Sequence, residues 1–256
     1  MRRTICLLML CCLLPAAWAG DAAREQRIAD QIRDAILDGE VLTLEAAGQP
    51  FLVIHQRTER SPARGAALIL HGRGANPDWV DVIHPLRTIL PEHGWDTLSI
   101  QLPVASEGAG ETEWQATIGE ATPRITAALT WLKQQGMQNV VLIAHSFGNL
   151  AAAEYLVSQP ADTLQAWVAI GMPETPGLTP RLKKITLPVL ELYGERDLPG
   201  VLAGVRARRL ALRGNKNWTW RESPDADHFF GGMDELLVST VRAWINKVAS
   251  GTEVRR

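Results

Sequence analysis

Runs of apolar residues alternate with amphipathic stretches along most of this chain. The runs at 66–71, 139–145, 165–171 and 188–194 are largely apolar, as strands covered on both faces should be, and 96–101 reads as a further strand. Two earlier segments, 40–46 and 50–56, and a later one, 217–222, also read as strands. Between them the spacing predicts helices at 24–38, 80–93 (with Pro85 as its start or kink), 117–135, 149–157 and 201–213. A last helix carries Met233, Leu236, Leu237, Thr240, Val241, Trp244, Ile245 and Val248 at three-and-four spacing. Residues 102–113, rich in Gly, Ala and Glu, read as a flexible loop. Strand and helix in alternation predict an α/β fold: a three-layer sandwich whose mostly parallel sheet is flanked by helices.

The first residues read as an export signal. Arg2 and Arg3 precede an apolar stretch too short to span a bilayer, and Ala17-Trp18-Ala19 has the small-x-small pattern of a cleavage site. Residues 1–19 are therefore expected to be removed after Ala19, leaving residues 20–256 as a single domain in the periplasm or secreted. All three cysteines (Cys6, Cys11 and Cys12) fall inside that segment, so the processed chain has no disulfide, thiolate metal site or cysteine nucleophile. Losing Arg2 and Arg3 takes the formal net charge from −2 to −4. No basic stripe supports nucleic-acid binding, and no second apolar run is long enough for a stable membrane span. The sequence leaves the oligomeric state open. Most of the eight remaining tryptophans sit in apolar patterns and read as core; Trp114, at the close of the loop, is the exception.

The chemistry centres on Ser146. The strand at 139–145 runs into Ala144-His145-Ser146-Phe147-Gly148 and then into a helix, the setting of a nucleophile elbow. Such a turn needs small residues two before and two after the serine, and Ala144 and Gly148 meet that demand. A serine hydroxyl is a poor nucleophile without a base and a group to orient that base. His228, in the loop before the last helix, is the candidate base. His145 should point away from the apex and serve packing or orientation. Asp197, in the turn after the strand at 188–194, is the candidate acid, with Asp225, Asp227 and Glu195 as rivals. The backbone N–H groups of Phe147 and of Arg73, in His71-Gly72-Arg73-Gly74, are candidates for an oxyanion hole. The Arg73 side chain either adds a positive group there or pairs with a neighbouring carboxylate, and pairing is the favoured expectation. The glycine-rich turn lacks the Gly-Lys-Ser/Thr of a phosphate loop and does not fit a dinucleotide fingerprint.

Those four segments, His71–Gly74, Ala144–Gly148, Tyr193–Asp197 and Ala226–Phe230, occur in the order Ser, Asp, His, and with them the chain resembles the α/β-hydrolase superfamily. Within it the chain looks most like an uncharacterised exported bacterial branch. The resemblance implies an eight-stranded sheet and hydrolysis through an acyl-enzyme, with no organic cofactor and no metal. The expected partner is a small-molecule acyl substrate, a carboxylic ester or similar. Two departures stand out: Ala144 replaces the usual first glycine of the elbow, and residues 172–187 are room for only a minimal cap. An acyltransferase using the same residues, or a non-catalytic envelope binding protein that kept the fold, are the competing readings.

Overall fold

The computed structural model describes residues 19–159 and 164–251. The expected export signal, apart from Ala19, and its three cysteines lie outside the described residues.

Eight strands form one sheet in the order β1-β2-β4-β3-β5-β6-β7-β8. They are β1 (Glu40–Ala46), β2 (Gln49–Gln56), β3 (Gly65–Leu70), β4 (Trp95–Ile100), β5 (Val140–His145), β6 (Leu164–Ile170), β7 (Val189–Gly194) and β8 (Trp218–Ser223). β1 and β2 form an antiparallel hairpin, β2 meets β4 antiparallel, and every other pairing is parallel. The expected architecture is the observed one, and most strand limits lie within a residue or two of those read from the apolar runs.

The continuous apolar runs are explained by what covers them. β3, β4, β5 and β7 are buried along their whole length. Successive side chains point to opposite faces. Leu68, Leu70, Leu142 and Ala144 pack against α3 (Glu111–Gln134) and α4 (Gly148–Ser158). Their neighbours Ala67, Ile69, Val141 and Ile143 face α2 (Ile83–Ile89) and α7 (Asp234–Val248). Each such fully buried leucine or isoleucine contributes roughly 1.5–3 kcal/mol of transfer free energy. The helix α1 (Ala22–Ala35) seats Ala29 and Ile32 on Leu52 and Ile54 of β2. The helix α6 (Pro199–Ala211) seats Val201 and Val205 on Tyr193.

Three local expectations change. α3 begins at Glu111 and not at 117, so the loop after β4 is shorter than its composition implies, and Trp114 lies in the first turn of the helix, 5% exposed. Trp114 supplies the reason: its ring buries against the edge of Phe147, with centroids 5.7 Å apart, and draws the helix start inward. The segment 80–93 divides into α2 and a 3-10 turn at Leu90–His93. Pro85 is accommodated within the first turn of α2, where its missing N–H has no intrahelical partner to lose. In α7 the buried stripe is Leu237, Val238, Val241 and Ile245, while Leu236 is exposed. The cap between β6 and β7 contains a short helix, α5 (Leu178–Leu182), that the pattern had not indicated.

Candidate active site

Parallel strands deliver their C-terminal ends to one rim of the sheet, where open α/β sheets place ligands. Gly72 and Arg73 follow β3, Ser146 follows β5, Gly171 follows β6, Asp197 follows β7, and His228 lies in the loop between β8 and α7.

Ser146 has φ of +50°, the left-handed region that L residues rarely adopt. The turn is held by its surroundings. The Ser146 N–H donates to the Ile170 carbonyl (2.9 Å), and the buried Asn149 side chain donates both to that carbonyl (2.8 Å) and to the Ser146 carbonyl (3.1 Å). The small residues are there because the backbone is close. A Cβ on Gly148 would lie 2.6 Å from the His71 carbonyl oxygen, and Ala144 is fully buried.

Ser146, His228 and Asp197 come together. Ser146 Oγ lies 2.9 Å from His228 Nε2, and His228 Nδ1 lies 2.6 Å from Asp197 Oδ1. Asp197 accepts further bonds from the N–H groups of Leu198 (2.7 Å, Oδ1) and Gly194 (3.2 Å, Oδ2). With Asp197 accepting from Nδ1–H, Nε2 of His228 is left bare to accept from the serine hydroxyl. The rival carboxylates hold loops instead. Asp227 accepts from the N–H groups of Phe229 and Gly231, Glu195 accepts from the Asp225 N–H, and Asp225 faces Arg196.

Among the described residues, neither the Arg73 N–H nor the Phe147 N–H donates to an acceptor. Gly72 brings the first of these near the serine: a Cβ there would lie 3.1 Å from Ser146 Cβ. The Arg73 side chain pairs with Glu111 (2.8 Å) and lies over the Trp114 ring, 5.1 Å from its centroid. That is the carboxylate pairing favoured for it on sequence grounds.

Two buried histidines brace the site. His71 donates from Nδ1 to the Gly72 carbonyl (2.9 Å) and accepts at Nε2 from the Leu102 N–H (3.0 Å), which ties the turn after β3 to the chain after β4. His145 turns away from the apex and donates from Nε2 to the His228 carbonyl (3.0 Å), its ring 4.9 Å from that of His228. Burial pushes both down to about 4 from the usual 6.5, with the neighbouring His228 adding to the effect on His145. Both are neutral in the folded protein, whereas in the unfolded chain they charge below about pH 6.5. The unfolded state therefore binds more protons between those values. Stability is full above about pH 6.5 and falls as pH drops toward 4, by about 3 kcal/mol for each histidine. Urea unfolding at about pH 7, 5.5 and 4.5 should show a steadily falling midpoint, and one that holds to pH 4.5 would contradict this account.

Gly171 is a site residue that sequence reasoning passed over as a strand end. Its φ is +56°, and a Cβ would lie 2.9 Å from His228 Cε1 and 3.0 Å from Nδ1. The signal was present, a glycine directly after an apolar strand, but only the tertiary structure reveals which ring it admits. Gly171→Ala is expected to displace His228 and lower turnover by about 10²-fold, since catalysis is that sensitive to misplacements near 1 Å. Steady-state kinetics together with a melting curve check this; unchanged kcat would refute it.

A profile for the family described as "Protein of unknown function (DUF3530)" matches residues 6–123, a span that includes the turn after β3 and stops before Ser146. No curated protein matches the chain. Among solved structures, Est1E from Butyrivibrio proteoclasticus is 15% identical and aligns over 84% of this chain and 100% of its own, with a TM-score of 0.66. A dienelactone hydrolase from Anabaena variabilis is 22% identical over 83% and 98%, also with a TM-score of 0.66. An esterase from Pyrococcus furiosus is 15% identical over 86% and 96%, with a TM-score of 0.68. The chain has the α/β-hydrolase fold.

Proposed function

We propose that this protein is an exported serine hydrolase that cleaves a carboxylic ester or similar acyl bond. The observation that carries this reading is the continuous relay Asp197–His228–Ser146, with contacts of 2.6 and 2.9 Å, on a turn whose serine has φ of +50°. The names of two of the structural neighbours, an esterase and a dienelactone hydrolase, support the same class of chemistry.

In this mechanism Ser146 Oγ attacks the acyl carbon as its proton passes to His228 Nε2. The imidazolium that forms is stabilised by Asp197, which keeps its own charge. The carbonyl oxygen takes up negative charge, and the N–H groups of Arg73 and Phe147, with no acceptor to leave among the described residues, donate to it. Collapse of the tetrahedral adduct returns the electron pair to the carbonyl, and His228 gives its proton to the departing alkoxide. Water then repeats the sequence on the Ser146 ester and releases the acid. The fluorophosphonate test is direct: a probe adduct should map to Ser146 by peptide mass spectrometry, and an adduct elsewhere, or none, would sink the proposal.

Substrate size follows from the cap. α5 is a single short helix, and the Arg73–Glu111 pair sets polar groups at the rim beside Trp114. Little apolar wall is available for a long acyl chain, and the reading is a hydrolase of short or medium acyl groups. For p-nitrophenyl esters below the micelle limit, kcat/KM should be about tenfold or more higher for short acids than for long ones, a difference of about 1.4 kcal/mol or more. A steady rise through the longest chains, with a jump at a lipid interface, would overturn it.

Export rests on the basic start, the short apolar core and Ala17-Trp18-Ala19, and places the processed N-terminus at Gly20.

A further inference from the structure

The start of the described chain is built into the protein body. The Gly20 N–H donates to Glu120 Oε2 on α3 (3.0 Å), and the Ala19 N–H donates to the other oxygen of the same carboxylate. A second carboxylate stands beside it: a Cβ on Gly20 would lie 3.1 Å from Glu120 Oε2 and 3.2 Å from Glu25 Oε1. Glu25 is already neutralised, by the buried Arg124 at 2.7 Å. Glu120 has no cationic side chain within ion-pair distance among the described residues. A carboxylate whose partners among the described residues are two neutral amides, one on each side of the Ala19–Gly20 bond, is an acceptor set up for a cation at that point of the chain.

We propose that Glu120 is the binding site for the α-ammonium created when the Ala19–Gly20 bond is cut. This inference rests on the export reading given above. In the cut, water adds its hydroxyl to the Ala19 carbonyl and a proton to the Gly20 nitrogen, which takes up a second proton near neutral pH; the reaction is that of a signal-removing endopeptidase. The Ala19 N–H then leaves with its segment, and the neutral Gly20 amide bond becomes a charge-assisted one to Glu120. The charge would otherwise be unwelcome there, because Gly20 sits one residue before Asp21, the N-cap of α1, at the positive end of that helix. The Glu120 carboxylate offsets that penalty.

The consequence reaches the rim of the active site. The same segment holds the chain that leaves β4. The Asp21 N–H donates to the Val104 carbonyl (2.7 Å), Arg24 donates to the Ala105 carbonyl (2.7 Å), and the Val104 N–H donates to Glu25 (3.2 Å). Two residues earlier, Leu102 donates to His71, next to the turn that carries Arg73. The bond between the ammonium and Glu120 would thus add to the contacts that already hold α1 on the loop supporting that turn.

The test is a double-mutant cycle on the folded protein. One chain begins at Gly20; the other retains Trp18 and Ala19 ahead of it; each is made with Glu120 and with Glu120→Gln. The chain beginning at Gly20 should melt about 2–4 °C above the extended chain, the shift a single modest interaction produces in a protein of this size. In the Glu120→Gln pair the gap should collapse. Around Gly20 stand Glu120 on α3 and Glu25 on α1, with Asp21 next in the chain and Arg124 paired to Glu25. A bond to the charged amine predicts that the gap persists below about pH 8, where a free α-amino group is protonated, and closes at higher pH as the ammonium is lost. Equal melting of the two chains, or a gap that survives Glu120→Gln, overturns the proposal. N-terminal sequencing of the exported protein separates the two levels. A start other than Gly20 refutes the processing reading, and with it the proposal. A start at Gly20 without coupling to Glu120 refutes the proposal alone.

Discussion

Ser146→Ala is expected to abolish fluorophosphonate labelling and to lower ester turnover by about 10⁴–10⁶-fold, with the fold intact. The loss follows from the position of the hydroxyl. It lies 2.9 Å from His228 Nε2, on the turn that presents it toward the N–H groups of Arg73 and Phe147, which have no acceptor among the described residues. Water held at the same place would lack the effective concentration and orientation of a covalently fixed oxygen. The fold should survive because nothing structural depends on Oγ. The turn is held by the Ser146 backbone and by Asn149, and alanine at φ of +50° bears the same backbone strain as serine. The measurement is probe labelling and steady-state kinetics beside a melting curve. Labelling equal to the wild type would mean that another nucleophile does the chemistry.

Asp197→Asn should reduce kcat by about 10⁴-fold, the scale expected when the base is held in the wrong tautomer. Both oxygens of Asp197 accept from backbone N–H groups, Oδ1 from Leu198 and Oδ2 from Gly194. An asparagine must turn its amino group toward one of them. If it faces Gly194, two donors oppose each other and the side chain is pushed from its place. If it faces Leu198 and His228, it offers a donor to Nδ1, and the imidazole proton moves to Nε2. His228 can then no longer accept from Ser146. Asp227→Asn should do far less to turnover, since Asp227 holds the N–H groups of Phe229 and Gly231 within its own loop. Ranking the kcat values of the two variants tests the assignment, and a greater loss at Asp227 would overturn it.

Much of this architecture was legible along the chain because its signals are local. A strand buried on both faces is mostly apolar, and a strand that turns abruptly into a helix must carry small residues, so β3, β5, β6 and β7 and the turn at Ser146 could be read directly. The order of Ser146, Asp197 and His228 and their places after strands were equally visible. Other features depend on what lies opposite, which no local pattern encodes. Trp114 belongs to a helix and not to a loop because Phe147 is there to cover it. Asp197 was one of four carboxylates near the right turns; what distinguishes it is a reach of 2.6 Å across 31 positions of sequence, set by the packing of β7 against β8. Gly171 is required by the His228 ring, and Glu120 meets Gly20 from a hundred residues away. The sequence by itself determined the strands, the helices and the residue types that could do chemistry, because hydrophobic period and turn sterics act over a few residues. The tertiary structure alone decided which donors meet which acceptors, because those contacts form only when distant strand ends converge on one rim of the sheet.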